Sequence, residues 1–345
     1  MCIFTLAQRA HTWMPLKYSV KEYVKYPFKY MNENGITVIL TGYRRPDNLR
    51  EQLAAIHHQT VQPEEIFFFQ DAATPSVNFD LSLLEGINHV KASKNIGVWG
   101  RFAVGFWAKT RYVCIFDDDT IPGARWLENC MNTIQIHRGL LGTIGIIFNP
   151  HDDYIHYISR VGWDNPNDTT IEVDIVGHSW FFERDWLTVF WKDSDNYAQF
   201  SKVGEDIHFS FMLQKYLGLK TYVPPHPADD ISLFGSLPNR AFKLGVNEEA
   251  ISFSPDNQKF MNTYLQVCIK NGFKLLANDF HYEKNEQGLT RLEKTQQDKR
   301  IDSLIKQSGI NTIKISFRNG FKKLRRSLGK FYRTFITHRK SNLYV

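Results

Sequence analysis

Short apolar runs alternate with helix-patterned stretches along the first two thirds of the chain. Runs at Ile36–Thr41, Glu65–Gln70, His89–Ala92, Tyr112–Phe116 and Leu140–Phe148 are rich in aromatic and β-branched side chains and bounded by Gly, Pro or charge. That is the pattern of strands covered on both faces. Further strands are predicted at Tyr157–Val161, Thr170–Val176 and Lys220–Val223. Arg45-Pro46-Asp47 opens a helix that runs to about His58, with proline early, where helix starts favour it. After Pro122-Gly123, Trp126, Leu127, Cys130, Met131 and Ile134 recur at helical spacing and form a core stripe. A third helix, after Glu205-Asp206, carries Phe209, Met212, Leu213 and Tyr216 on one face. The fold class is α/β.

The remaining segments divide the chain. Residues 1–34 read as an N-terminal extension packing on the domain, 35–235 as the α/β domain, 236–303 as a polar helical extension without an interpretable motif, and 304–345 as a tail. In the tail Phe317, Phe321, Leu324, Leu328, Phe331 and Phe335 recur at steps of three and four among basic residues. This predicts a basic amphipathic helix over 314–336 suited to an anionic membrane surface, or docked on its own domain. No recognition module accompanies it, so a nucleic-acid partner is not expected.

Charge sharpens that division. The formal charge is +6, yet eleven of the 42 Lys and Arg lie from Leu304 onward with no Asp or Glu, leaving 31 basic against all 36 acidic groups before it. The four cysteines have neither paired nor metal-ligand spacing, which fits a reducing compartment. No segment reaches the roughly 18 apolar residues of a membrane span, and the start, MCIFTLAQRAHTW, does not read as a signal peptide. A cytoplasmic protein held peripherally at the inner face of the membrane is the expectation. The 345 residues suffice for one substantial core, and 43% apolar with 23% charged residues is ordinary for a globular protein.

The chemistry concentrates where the run Tyr112–Phe116 ends in Asp117, Asp118 and Asp119. Ligands of open α/β sheets gather at such strand ends. Three adjacent carboxylates leaving water need a cation or strong donors, and hard oxygen ligands favour Mg2+ or Mn2+. A solvated acidic loop would give the same bare triplet.

IFDDDTIPGARWLENC, about 80 residues after ITVILTGYRRPDNLREQL, resembles the DXD motif of a family-2-like GT-A glycosyltransferase, over roughly Ile36 to Pro227. A second likeness, through Asn95, Arg101, Phe102 and the triplet, is to the exostosin-like transferases. The first resemblance implies a Rossmann-like nucleotide-sugar-binding fold with a mostly parallel sheet. Asp117 and Asp118 would bind the donor and Asp119 the metal, with His226 as a further metal contact. Thr41, Tyr43 and Asp71 match the family's nucleobase positions; Asn95 and Arg101 match its N-x-G turn and a diphosphate contact. Asp71 could accept an N–H of uracil or guanine, with UDP favoured over GDP. The pair Glu205-Asp206 resembles the family's ED motif, with Asp206 as the base that takes the acceptor's proton. Trp180 is expected to be a sugar platform, and His178 a structural histidine. The polar loop 190–201 has a length that often closes over substrate.

The function this implies is transfer of a sugar from a nucleoside-diphosphate sugar to a hydroxyl of a glycan or glycolipid, with inversion. The exostosin-like resemblance implies retention instead. A sugar nucleotidyltransferase would want a glycine-rich phosphate loop after the first strand, and TGYRRPDN lacks it. A non-catalytic membrane-recruited module leaves the triplet, the acidic pair and His226 without a common purpose.

Overall fold

The computed structural model describes residues 32–72, 77–149, 154, 156–193, 203–245, 254–285, 288–294 and 299. Residues 1–31, most of the expected 190–201 loop and the whole tail lie outside the described residues.

Nine strands form one sheet: β1 (Asn32–Gly42), β2 (Glu65–Gln70), β3 (Asn88–Lys91), β4 (Thr110–Phe116), β5 (Gly139–Phe148), β6 (Tyr157–Gly162), β7 (Ile171–Val173), β8 (Ile175–Glu183) and β9 (Lys220–Val223). Their order is β3-β2-β1-β4-β8-β5-β9-β7, with β6 paired to β5. The quartet β3-β2-β1-β4 is parallel, so its C-terminal tips share one edge. β8 then enters antiparallel to β4, with Phe116 opposite Ser179. The middle of β8 therefore lies beside the end of β4.

The helices among the described residues are α1 (Asn48–His57), α2 (Gly100–Val104), α3 (Trp126–Ile136), α4 (Leu187–Phe190), α5 (Glu205–Leu217), α6 (Pro238–Gly245) and α7 (Pro255–Lys270). α1 buries Asn48, Leu49, Gln52, Leu53 and Ile56, a stripe at helical spacing that contains two amides where apolar residues are the norm. α5 begins after Gly204 at φ +87° and is closed by Gly218 at φ +64°. Both are left-handed positions that glycine occupies without a Cβ penalty.

The strand expected over 170–176 is two strands, because Asp174 interrupts it. Its carboxylate accepts the backbone N–H groups of Phe148 and Leu276 at 2.7 and 2.8 Å, turning the chain between β7 and β8. Among the described residues, one compact unit runs to Asn278 and takes in Tyr282–Arg291, and Asp279–His281 with Leu292–Lys294 belong to a second. Met261, Tyr264, Leu265 and Cys268 of α7 join the same core cluster as β1, β4 and α5. No helix among the described residues is long and apolar enough to cross a membrane.

Candidate active site

Strand tips supply the first part of the site. Leu40 of β1 lies beside Phe116 of β4, and the Thr41 hydroxyl donates to the Phe116 carbonyl at 2.9 Å. At the tip of β2, Asp71 accepts from the N–H groups of Ala72, Ile96 and Gly97 at 2.8, 3.0 and 3.2 Å. Gly97 has φ +77°, the conformation that turns its N–H back toward this carboxylate. Burial raises the Asp71 pKa even against these three donors. Asn95 links the turn to the first tip by donating to the Tyr43 hydroxyl at 2.7 Å. Tyr43, Asp71, Asn95 and the turn after it are thus brought together.

The acidic triplet follows β4 and is held by its backbone. Gln52 of α1 donates to the carbonyls of Asp117 and Thr120 at 2.6 and 3.0 Å, and Asn48 to that of Asp118 at 2.8 Å. On the far side, the His178 carbonyl of β8 accepts from the Asp117 N–H and the Thr120 hydroxyl, both at 3.0 Å. These bonds fix the backbone of the loop from both sides and leave the carboxylates to carry the chemistry.

Two arginines answer their charge. Arg45 pairs with Asp118 and lies 3.2 Å from Asp119. Arg101 is 6% exposed and pairs with Asp117 through one nitrogen and Glu205 through another. Its guanidinium rests over the Trp180 ring, 4.4 Å from the centroid. The carboxylates respond unequally. Burial pushes Asp118 up to about 6 and Glu205 up to about 7, in each case against its arginine. Asp117 is also raised by burial, opposed by Arg101. Asp119 alone is lowered, because His178 and Arg45 outweigh its desolvation.

His178 has the remaining decisive position. It is a non-glycine residue at φ +63°, a conformation that costs about 1–2 kcal/mol, and its Nδ1 lies 3.7 Å from Asp119. Burial would lower its pKa, but the neighbouring carboxylates of Asp119 and Asp117 raise it. Asp117, Asp119 and His178 each offer a ligand atom within 4.8 Å of one another. Two carboxylates and an imidazole are ligands of divalent metals. The residues present therefore fit a divalent cation, though not in the combination expected from sequence.

Three expectations are corrected. His226 is fully buried between Trp126 and Phe234, with Nδ1 on the Pro224 carbonyl at 2.8 Å and Nε2 accepting the Gly235 N–H at 3.1 Å. Both ring nitrogens are used, burial lowers its pKa to about 4, and it is a packing residue. Trp180 is 2% exposed and donates to the Val176 carbonyl at 3.0 Å, so it floors Arg101 and offers no face to a sugar. His178, expected to be structural, belongs to the metal-capable group.

The acidic pair stands at the N-terminus of α5. Asp206 accepts from the Ile207 N–H at 2.7 Å with one oxygen and from the Tyr154 hydroxyl at 2.9 Å with the other. Burial raises its pKa against both donors. Sequence reasoning missed Arg45, Asn48, Gln52 and Tyr154. The amides had a signal, since they lie four apart on an otherwise apolar helical face; Tyr154 had none.

A mixed α/β sheet whose parallel half ends, at the central strand β4, in a metal-capable acidic loop is the architecture of a GT-A glycosyltransferase. The family model described as glycosyl transferase family 2 matches residues 37–213, just over half of the 345, and the chain belongs to that family. It is a glycosyltransferase, of a family that takes nucleotide-sugar donors and glycan acceptors. No curated protein matches the chain.

Proposed function

We propose that the protein is a divalent-metal-dependent, inverting glycosyltransferase that uses a UDP-sugar and a hydroxyl of a glycan or glycolipid. The observation that carries this reading is the Asp117, Asp119 and His178 group, whose ligand atoms lie within 4.8 Å, at the tip of β4. Those three residues would hold Mn2+ or Mg2+, which when bound neutralises charge developing on the leaving nucleoside diphosphate.

The chain's own residues do the rest. Tyr43 offers a ring beside the base, and Asp71 accepts from it. A carboxylate has about four lone-pair sites, and Asp71 has given three to Ala72, Ile96 and Gly97. The one left matches the single imide N–H of uracil better than the two adjacent donors of guanine. Asp118 would contact the ribose and Arg101 the diphosphate. Asp206 takes the proton of the acceptor hydroxyl as that oxygen attacks the anomeric carbon, and its raised pKa brings it toward the working pH. Inversion follows from this single displacement. The catalytic domain spans 35–235, and the tail 314–336 holds the enzyme at an anionic membrane surface.

Calorimetric titration with UDP, GDP, CDP and dTDP, with and without manganese, tests the donor site. UDP should bind in a manganese-dependent way, and Asp119→Ala should abolish that binding. Equal binding by the variant would remove the metal from the reading.

A further inference from the structure

α7 has no assigned part in catalysis, yet it touches both α5 and the tyrosine that bonds Asp206. Its buried face, Met261, Tyr264, Leu265 and Cys268, packs in the core that holds α5. There the Tyr264 hydroxyl meets Nδ1 of the fully buried His208, one turn beyond the acidic pair. From the same helix, the Asn262 side chain accepts the backbone N–H of Tyr154 at 3.3 Å. The Tyr154 ring lies against Phe148 with centroids 5.6 Å apart, and its hydroxyl reaches Asp206.

We propose that Tyr154 is a positioning residue for Asp206, its phenol fixing one carboxylate oxygen so that the remaining lone pairs face the acceptor, and that α7 holds Tyr154 through Asn262. This rests on the reading of Asp206 as the base. The geometry explains why Tyr and not Phe stands there. With one oxygen held by the Ile207 N–H and the other by the phenol, the carboxylate cannot rotate without breaking a bond.

The ionisable groups facing Asp206 are Glu205 on its own helix, Arg101 from α2, Tyr154, and Cys268 from α7. Burial raises the Asp206 pKa, while Ile207, Tyr154 and Arg101 lower it. Removing the phenol removes one lowering contribution, so the carboxyl should titrate at higher pH. The sign is opposite to what loosened packing would give, since added water lowers a buried carboxyl's pKa.

The test is a carboxyl 13C NMR titration of the metal-free full chain, with the Asp206 signal assigned by its loss in Asp206→Asn. Tyr154→Phe should raise the Asp206 midpoint by about one pH unit, and Asn262→Ala should move it the same way by less. An unmoved or lowered midpoint in Tyr154→Phe overturns the inference. Should Tyr154→Phe fail to fold, the Asn262→Ala titration decides, an unshifted midpoint again overturning it. Release of nucleoside diphosphate from UDP- and GDP-sugars, measured in parallel, separates the two readings. Turnover retained by Asp206→Asn would sink Asp206 as base while leaving the tyrosine contact in place. A wild-type midpoint in Tyr154→Phe would sink the contact while leaving the base.

Discussion

A guanidinium buried between two carboxylates is costly to install and more costly to break. Arg101 holds Asp117 and Glu205 with its two terminal nitrogens and lies flat on Trp180. Arg101→Met keeps the volume but leaves both carboxylates without their cation, and breaking such a pair typically costs about 3–5 kcal/mol. Urea denaturation of the variant should read a loss of that order; a loss near zero would mean that the pair is solvated. Arginine's neighbours also explain what was legible here. The triplet stood out because several adjacent carboxylates are unusual in an apolar context, and two of them, Asp117 and Asp119, fall in the metal-capable group. Trp180 and His226 were misread because residue type reports chemical capacity and not exposure. An indole can stack on a sugar or fill a core, and only burial distinguishes the two.

Elements were more legible than side chains. β2 and β9 have the bounds that their apolar runs predict, and β4 differs by two residues at its start. The failure at 170–176 is instructive. The apolar/polar alternation continues through Asp174, and the break arises from N–H groups of Phe148 and Leu276, the latter about 100 residues away. No local pattern encodes such a partner. α1 makes the complementary point, because Asn48 and Gln52 look like flaws in an apolar stripe until the carbonyls of the acidic loop are set against them. The tail's amphipathic pattern carries the membrane proposal by itself. Each basic residue near an anionic surface adds about 1 kcal/mol, so deleting residues 314–345 should release the protein from anionic vesicles in a sedimentation assay. Unchanged sedimentation would reject that proposal.

At the scale of the whole molecule, Asp174 ties the chain after α7 to the sheet through a carboxyl that burial pushes up to about 7. A raised folded-state pKa means that the protonated form is favoured in the native state. The associated stability is complete below the unfolded value of about 3.9 and is lost as pH rises toward 7. The unfolding free energy of the wild type should therefore decline between about pH 4 and pH 7, with a slope of up to about one proton from this group. Asp174→Asn, which cannot titrate, should flatten that slope. Equal slopes in wild type and variant would show that the group titrates normally.

The position of Arg101 between Asp117 and Glu205 has a consequence for how the two halves of the reaction communicate. On the proposed reading, one cation would serve a ligand of the donor side and the neighbour of the acceptor-side base, so occupancy of either half would change the charge that the other sees. Thermodynamic linkage makes such an effect reciprocal: whatever factor a bound donor confers on acceptor affinity, the acceptor confers on the donor. Ordered addition of two substrates would then need no moving lid, only a shared arginine whose allegiance shifts between carboxylates.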